Sequence, residues 1–404
     1  MMDVTMAQHP VGQGGLMSGL LENHGGSLHW AYDCGSNQTD ALNREIAVVA
    51  AQGDLQLLFL SHLDSDHVNG IDSLLAKARV EEVVLPYLRD IDRIVAVAHD
   101  AAMGALTGGF LRFLNDIEGW FRERGVERIT FIEPRDDDDE GGDGPFIPEV
   151  GDGGGDEPIK SKWVGKPVAP PDGDGTAHYP ENPTVQRLED GATLHLWAGQ
   201  PLDWILSPHA HRPSKSALAA FEAELSKRFS GGHSDPDFLQ IILADQSLRS
   251  ELKECYDAIW KDHNLVSMAL YAGPVKSDAW ISWTDRHYRF PWFSRRHHRG
   301  AVGWLCTGDM HLDVVRRRDA FIQHYRRLLD KVNVFALPHH GSRANFSLTL
   351  FSALPNASQF TAAAGPNSYD HPSEYVIRAV QAEGRSFVNV SEHSHTALEW
   401  RHYI

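Results

Sequence analysis

The sequence predicts an α/β fold with its functional residues at strand ends, and three observations carry that expectation. Leu55 to Leu60 is an almost unbroken apolar run, as in a central strand buried on both faces, and it stops in Ser61-His62-Leu63-Asp64-Ser65-Asp66-His67. Two later apolar runs end alike: Ala301 to Cys306 leads into Thr307-Gly308-Asp309, and Val332 to Leu337 into Pro338-His339-His340-Gly341-Ser342. Between them lie stretches with helical spacing, such as Ile71, Leu74, Leu75 and Ala78. In open α/β sheets ligands collect just beyond the carboxyl ends of strands.

In chain order, residues 8–36 read as a hairpin, with strands near Leu16 to Leu21 and Leu28 to Tyr32, and Asp33 following the second. Asp40 to Ala51 has a helical pattern that Gly53 ends. Gly70 to Val80 reads as a helix, Val83 to Pro86 as a strand, and Ile91 to Gly125 as two helices. The second of these carries Phe110, Leu111, Leu114, Ile117 and Phe121 on one face, a core stripe. The core resumes at Ala192 to Ala198 and continues into Trp204-Ile205-Leu206. Val266 to Tyr271 returns to the sheet, and His311 to Leu329 is a helix with its arginines on the solvated side. Phe360 to Ala364 and Phe387 to Val390 read as the last strands, separated by a helix with Pro372 in its first turn.

Three segments read as insertions in a single domain spanning 1–404. Residues 135–183 hold Asp136-Asp137-Asp138-Asp139-Glu140 and many Gly and Pro, with too few large apolar side chains to offset chain entropy, so a flexible acidic insertion is expected. Residues 213–261 read as a helical insertion: Ser214 to Phe229, with Ser214 as N-cap, then Asp237 to Lys261. Residues 273–300 read as a basic, aromatic hairpin. Arginines alternate there with Trp, Tyr and Phe over 283–299, which suits a strand-tracking, base-stacking surface or an exposed hairpin anchored by its aromatics.

His62, Asp64, Asp66 and His67 can ligate divalent metals, and Asp309, His339 and His340 at the other two strand ends can join them. A solvated turn explains an isolated H-x-D-x-D-H, but it does not explain three hydrophobic strands that each deliver His or Asp.

These pieces resemble the metallo-β-lactamase superfamily, and within it the soluble hydrolase domain of ComEC-like competence proteins. Val11-Gly12-Gln13-Gly14 looks like its V-G-Q-G, Tyr32-Asp33-Cys34-Gly35 like its I-D-x-G, and His62 to His67 like its metal motif. Leu206-Ser207-Pro208, Asn264 to Leu270, Thr307-Gly308-Asp309, His339 to Ser342 and Asn367 to Pro372 follow in the family's order. The chain departs from it at Gly15 and Pro10, where the family has Asp, and at Asp64, where the lactamases have His.

The resemblance implies a four-layer αββα metallo-β-lactamase sandwich with insertions and two divalent metal ions, zinc by ligand type, with manganese compatible with the oxygen-rich set. One ion would take His62 and Asp64, the other Asp66 and His67. Asp309 would bridge them, His339 and His340 would close the two shells, and Asp33 would support the loop. His209 or His211 could stand in for a missing third-motif histidine. Two such ions sharing one water lower its pKa towards ~7. The implied activity is a phosphodiesterase or nuclease in which Asp66 is essential and His371 protonates the leaving group or grips phosphate. His371 has the alternative reading of a helix-start histidine held by packing. Ser342 and Asn367 could donate hydrogen bonds to substrate. The alternatives are hydrolysis of a small ester, lactone or lactam, and a non-catalytic metal-binding subunit.

Composition bounds these readings. At 404 residues and 42% hydrophobic the chain is globular, and no apolar run approaches the ~20 residues of a membrane span. With no secretion-type start and three scattered cysteines, a cytoplasmic protein without a disulfide framework is expected. The formal charge of −18 disfavours broad binding to polyanions, so contact with nucleic acid would have to be local, as through 283–299.

Overall fold

The apolar runs pair into two mixed sheets flanked by helices. The computed structural model describes residues 2–103, 113–114, 116–136, 144–150, 156–168, 184–229, 238–259, 266–276, 279–282 and 298–403. Strands β1 (Asp3–Gln8), β2 (Gly14–Asn23), β3 (Gly26–Ser36), β4 (Leu55–Phe59), β5 (Val80–Pro86) and β6 (Arg128–Glu133) come first. Next are β7 (Arg135–Asp136), β8 (Lys160–Val164), β9 (Val185–Glu189), β10 (Thr193–Trp197), β11 (Pro201–Arg212) and β12 (Ser267–Gly273). The remainder adds β13 (Ala279–Ser282), β14 (His298–Gly300), β15 (Gly303–Cys306), β16 (Val332–Ala336), β17 (Gln359–Ala363), β18 (Ser386–Val390) and β19 (Leu398–Tyr403). One sheet runs β14-β13-β19-β1-β2-β3-β4-β5-β6-β9, the other β18-β17-β16-β15-β12-β11-β10-β8, with β7 beside β11.

Strand β4 shows why its sequence is continuously apolar. Leu57 and Phe59 join a buried cluster with Trp204, Leu206, Met268 and Trp304 of the second sheet. Leu58 and Leu60 join another with Ile46, Leu74, Phe121 and Tyr256, which come from helices. Burying each such side chain contributes about 1.5–3 kcal/mol. A third cluster packs Phe321, Tyr325, Val376 and Val380 of the helices Val315–Tyr325 and Glu374–Ala382 against Ile205, Leu305, Phe335 and Phe360.

Strands β3, β4, β5, β6 and β9 pair in parallel, as do β15, β16, β17 and β18. The carboxyl ends of β4, β15 and β16 lead to His62, Asp309 and His339, and a link between the sheets lies at that end. Tyr32 donates its hydroxyl to the Met268 carbonyl at 2.6 Å, and the Met268 amide donates to the Ser61 carbonyl at 2.7 Å. Among the described residues no helix is long and apolar enough to cross a membrane.

Several elements differ from the sequence reading. Strands β1, β6, β9 and β19 were not expected. Asp33 lies inside β3 rather than after it. The helix expected over Gly70 to Val80 stops at Leu75, and Val80 opens β5. The span expected as a flexible insertion, 135–183, contributes β7 and β8. Trp163 of β8 is fixed where its indole N–H donates to Glu82 at 2.7 Å. In the expected 213–261 insertion the helix Lys215–Arg228 forms with Ser214 as N-cap. Asp237 to Lys261, expected as one helix, is two, Phe238–Ala244 and Gln246–Ile259, because Asp245 accepts the Ser247 amide at 2.7 Å and restarts the chain. Ser373, rather than Pro372, starts the last helix. Strands β13 and β14 pair antiparallel at the base of the 273–300 hairpin, whereas the arginine-aromatic stretch 283–297 and the phenylalanine and leucine at 110–111 lie outside the described residues.

Candidate metal centre

Each strand end turns in a way its sequence dictates. Gly308 has φ +51°, and a Cβ there would sit 2.6 Å from Ser267 Oγ and 2.8 Å from Ser61 Cβ, so only glycine lets Asp309 approach the β4 loop. Past β16, His339 and His340 both adopt left-handed backbone, φ 47° and 55°. The non-glycine residues with positive φ among those described are Asp33, His339, His340 and Asp370, all at this end of the sheets. Each such residue costs of the order of 1–3 kcal/mol, and strain of this kind collects at functional sites.

The seven side chains expected as ligands come together. His62 Nε2 lies 3.6 Å from Asp64 Oδ2 and 3.6 Å from Asp309 Oδ2, and His339 Nε2 lies 3.7 Å from the same Asp309 oxygen. On the other side His67 Nε2 is 3.5 Å from Asp309 Oδ1, and His340 Nε2 is 3.5 Å from Asp66 Oδ2. Asp309 thus turns one oxygen to each half of the cluster. The rings of His62 and His67 stand 4.0 Å apart.

All four imidazoles are held from behind through Nδ1. Ser61 has one hydroxyl proton and gives it to Asp33 Oδ2 at 2.8 Å, so its oxygen accepts from His62 Nδ1 at 2.7 Å. His67 Nδ1 donates to Asp33 Oδ2 at 2.8 Å. His339 Nδ1 donates to Asn345 Oδ1 at 3.2 Å, and His340 Nδ1 to the Ala363 carbonyl at 2.9 Å. Every Nε2 therefore faces inward, and those of His62, His67 and His340 are buried with no hydrogen-bond partner.

This arrangement fits divalent ions. Two ligands ~2.1 Å from one tetrahedral ion lie roughly 3.4 Å apart, close to the spacings here and too long for good hydrogen bonds. Asp33, Asp64, Asp66 and Asp309 gather four carboxylates around the four imidazoles, a surplus of negative charge that divalent ions would offset. Burial works against charge on His67, yet Asp33, Asp309 and Asp66 outweigh it and lift the imidazole to about 10. Burial also opposes ionisation of Asp309, and His339, His67, His62 and His340 overcome it, holding the carboxyl far below its usual range. A field that draws in protons this strongly draws in cations.

A second buried group looks similar and is not equivalent. Asp190, His209 and His324 lie close enough to share an ion. However, Arg135 Nε sits 2.8 Å from Asp190 Oδ2, so that carboxylate is already balanced. His209 Nδ1 is 3.0 Å from both Asp190 oxygens, and its ring stacks on His324 at 4.2 Å. His209 is thus committed to this cluster. His211 is buried with its pKa pushed well down by burial and then by Arg317, His209 and His311.

His371 lies on the open side, its ring 5.0 Å from that of His339. Burial, then His339 and His340, lower it to about 4. Asn367 does not have the substrate-donor role expected of it. Its Oδ1 accepts the Tyr369 and His371 amides at 2.9 and 3.1 Å, and its Nδ2 donates to the Gly365 and His371 carbonyls at 2.8 and 2.7 Å. It shapes the loop that presents His371. Ser342 caps the next turn, accepting the Ala344 amide at 3.2 Å.

Sequence reasoning missed Ser61, Asn345 and the Ala363 carbonyl as tethers. Only the adjacency of Ser61 to His62 was a signal for any of them. No protein-family model matches the chain, and no curated protein matches it.

Proposed function

We propose that this chain is a dinuclear metal-dependent hydrolase with a metallo-β-lactamase-type αββα sandwich, acting on phosphodiesters. The observation that carries the reading is the convergence of four tethered imidazoles and three carboxylates, from three separate strand ends, at spacings suited to ions. His62, Asp64 and His339 would hold one ion and Asp66, His67 and His340 the other, with Asp309 between them and zinc the expected metal. When bound, the ions would supply Lewis acidity and a water ionised near neutral pH.

The chain's own residues do the rest. Asp33 and Ser61 fix the tautomers of His67 and His62, and Asn345 fixes that of His339. The left-handed backbone at His339 and His340 aims adjacent side chains to opposite halves of the centre. His371, neutral and partly buried beside His339, can donate its ring N–H to a phosphoryl oxygen and so hold the phosphate in place.

Metal analysis coupled to turnover tests the proposal. The wild-type chain is expected to hold two equivalents of metal and to cleave bis(p-nitrophenyl) phosphate in preference to a panel of lactones and β-lactams. Asp66→Ala and Asp309→Ala should each lose metal and lower turnover on the order of 10³-fold, with an unchanged circular dichroism spectrum. Wild-type-like hydrolysis by either variant contradicts the mechanism. A preference for the carbonyl panel, which the formal charge of −18 favours, would move the assignment to a small ester or lactam.

A further inference from the structure

Beside the centre the chain leaves a cavity of about 30 Å³. His62 and Asp64, two of the proposed ligands, line one side of it, and Leu88, Val95, Ala96 and Tyr256 line the other. These walls come from separate elements: Leu88 follows β5, Val95 and Ala96 lie on the helix Asp90–Met103, and Tyr256 lies on the helix Gln246–Ile259. Leu88, Val95 and Tyr256 are buried and fix the shape of the cavity, while Ala96 is only partly buried.

The charges around the cavity select what can enter it. Among the described residues no lysine or arginine lines it. Asp92 lines it too, but its Oδ2 accepts both the amide and Nε of Arg89 at 3.0 Å, and Arg212 Nη1 stands 3.9 Å away, so this carboxylate is answered from within the fold. An anion entering would meet Asp64, and a cation would meet the ion that His62 and Asp64 are proposed to hold. A neutral apolar group meets neither penalty. At about 10–15 Å³ for each water, the space suits roughly two waters or the two carbons of an ethyl group. Water against leucine, valine and alanine walls has few hydrogen-bond partners, and an apolar group that displaces such water gains affinity.

We propose that this cavity receives the substituent of the substrate that is not cleaved and limits it to a short neutral alkyl group, with Ala96 and Leu88 setting the length admitted. The proposal rests on the hydrolase reading for the phosphoryl group beside His62 and Asp64. It makes the preferred substrate a small diester with one short alkyl arm.

Methyl, ethyl and butyl p-nitrophenyl phosphate share a leaving group and differ only in that arm, so kcat/KM across the three reads the cavity directly. Ethyl is expected to exceed methyl about 4-fold, the worth of one buried methylene, and butyl to fall below ethyl. Ala96→Leu fills the space and should bring the ethyl-to-methyl ratio close to one, whereas Leu88→Ala enlarges it and should let butyl overtake ethyl. Circular dichroism and metal content show that each variant is folded and loaded. Binding of methyl-, ethyl- and butylphosphonate to the metal-loaded full chain, by isothermal titration calorimetry, reads the same preference without turnover. Rates and affinities indifferent to the arm, a preference for butyl in the wild type, or a ratio unmoved by Ala96→Leu overturns the proposal. Hydrolysis with no dependence on the arm confines the failure to the cavity. Phosphonate binding that follows arm length, with no hydrolysis of any diester, supports the cavity and confines the failure to the proposed chemistry.

Discussion

At the scale of single residues, an imidazole can serve a metal only if its other nitrogen is held, and here the holders differ in kind: a carboxylate, a hydroxyl, a carboxamide and a backbone carbonyl. Asn345 tests the idea best, because it touches no expected ligand position in sequence and is buried, donating Nδ2 to the Asp309 carbonyl at 3.2 Å as well as accepting from His339. Asn345→Leu should weaken metal binding roughly 10- to 100-fold by competition with a chromophoric chelator, as loss of such partners does elsewhere. Asn345→Asp keeps the acceptor and should stay nearer to wild type. The proposed ligands were legible in the sequence because His and Asp stood at the ends of apolar runs. Their tethers were not, because Asn345 and Ala363 become neighbours of His339 and His340 only through tertiary structure.

At the scale of elements, legibility followed local pattern strength. Strand β4 and the helix Lys215–Arg228 carry unambiguous signals, and both formed where expected. In β9, Val-Gln-Arg-Leu-Glu, and β19, Leu-Glu-Trp-Arg-His-Tyr, polar residues interrupt the apolar ones over five or six residues, and so short an alternation is weak evidence until neighbouring strands supply its partners. Strand β8 is polar because it forms an edge of its sheet, a position where lysines discourage pairing with other chains. The N-cap of Lys215–Arg228 offers a direct check on this level. Ser214 Oγ accepts the Ala217 amide at 3.3 Å, and Ser214→Ala should cost about 1 kcal/mol in denaturant unfolding with no change in the slope.

At the scale of the whole molecule, some buried polar groups serve no site and set the response to acid instead. His402 in β19 is fully buried with neither ring nitrogen hydrogen-bonded, and burial lowers it to about 3. Its unfolded pKa is near 6.5, so between about pH 6.5 and 3 the unfolded chain binds the extra proton. Stability from the neutral ring is therefore complete above pH 6.5 and is lost as pH falls towards 3. His402→Phe should be less acid-sensitive than wild type across that window in pH-dependent thermal melts, and equal steepness in both proteins would remove His402 as the cause.

The dispersal of the ligands along the chain sets when the centre can exist. His62 to His67 leave the ribosome long before Asp309, and the paired histidines after β16 come later still. A nascent chain that has not reached His339 lacks both of those rings and can offer only part of the proposed ligand set. Synthesis itself thus keeps the centre incomplete until both sheets are nearly made.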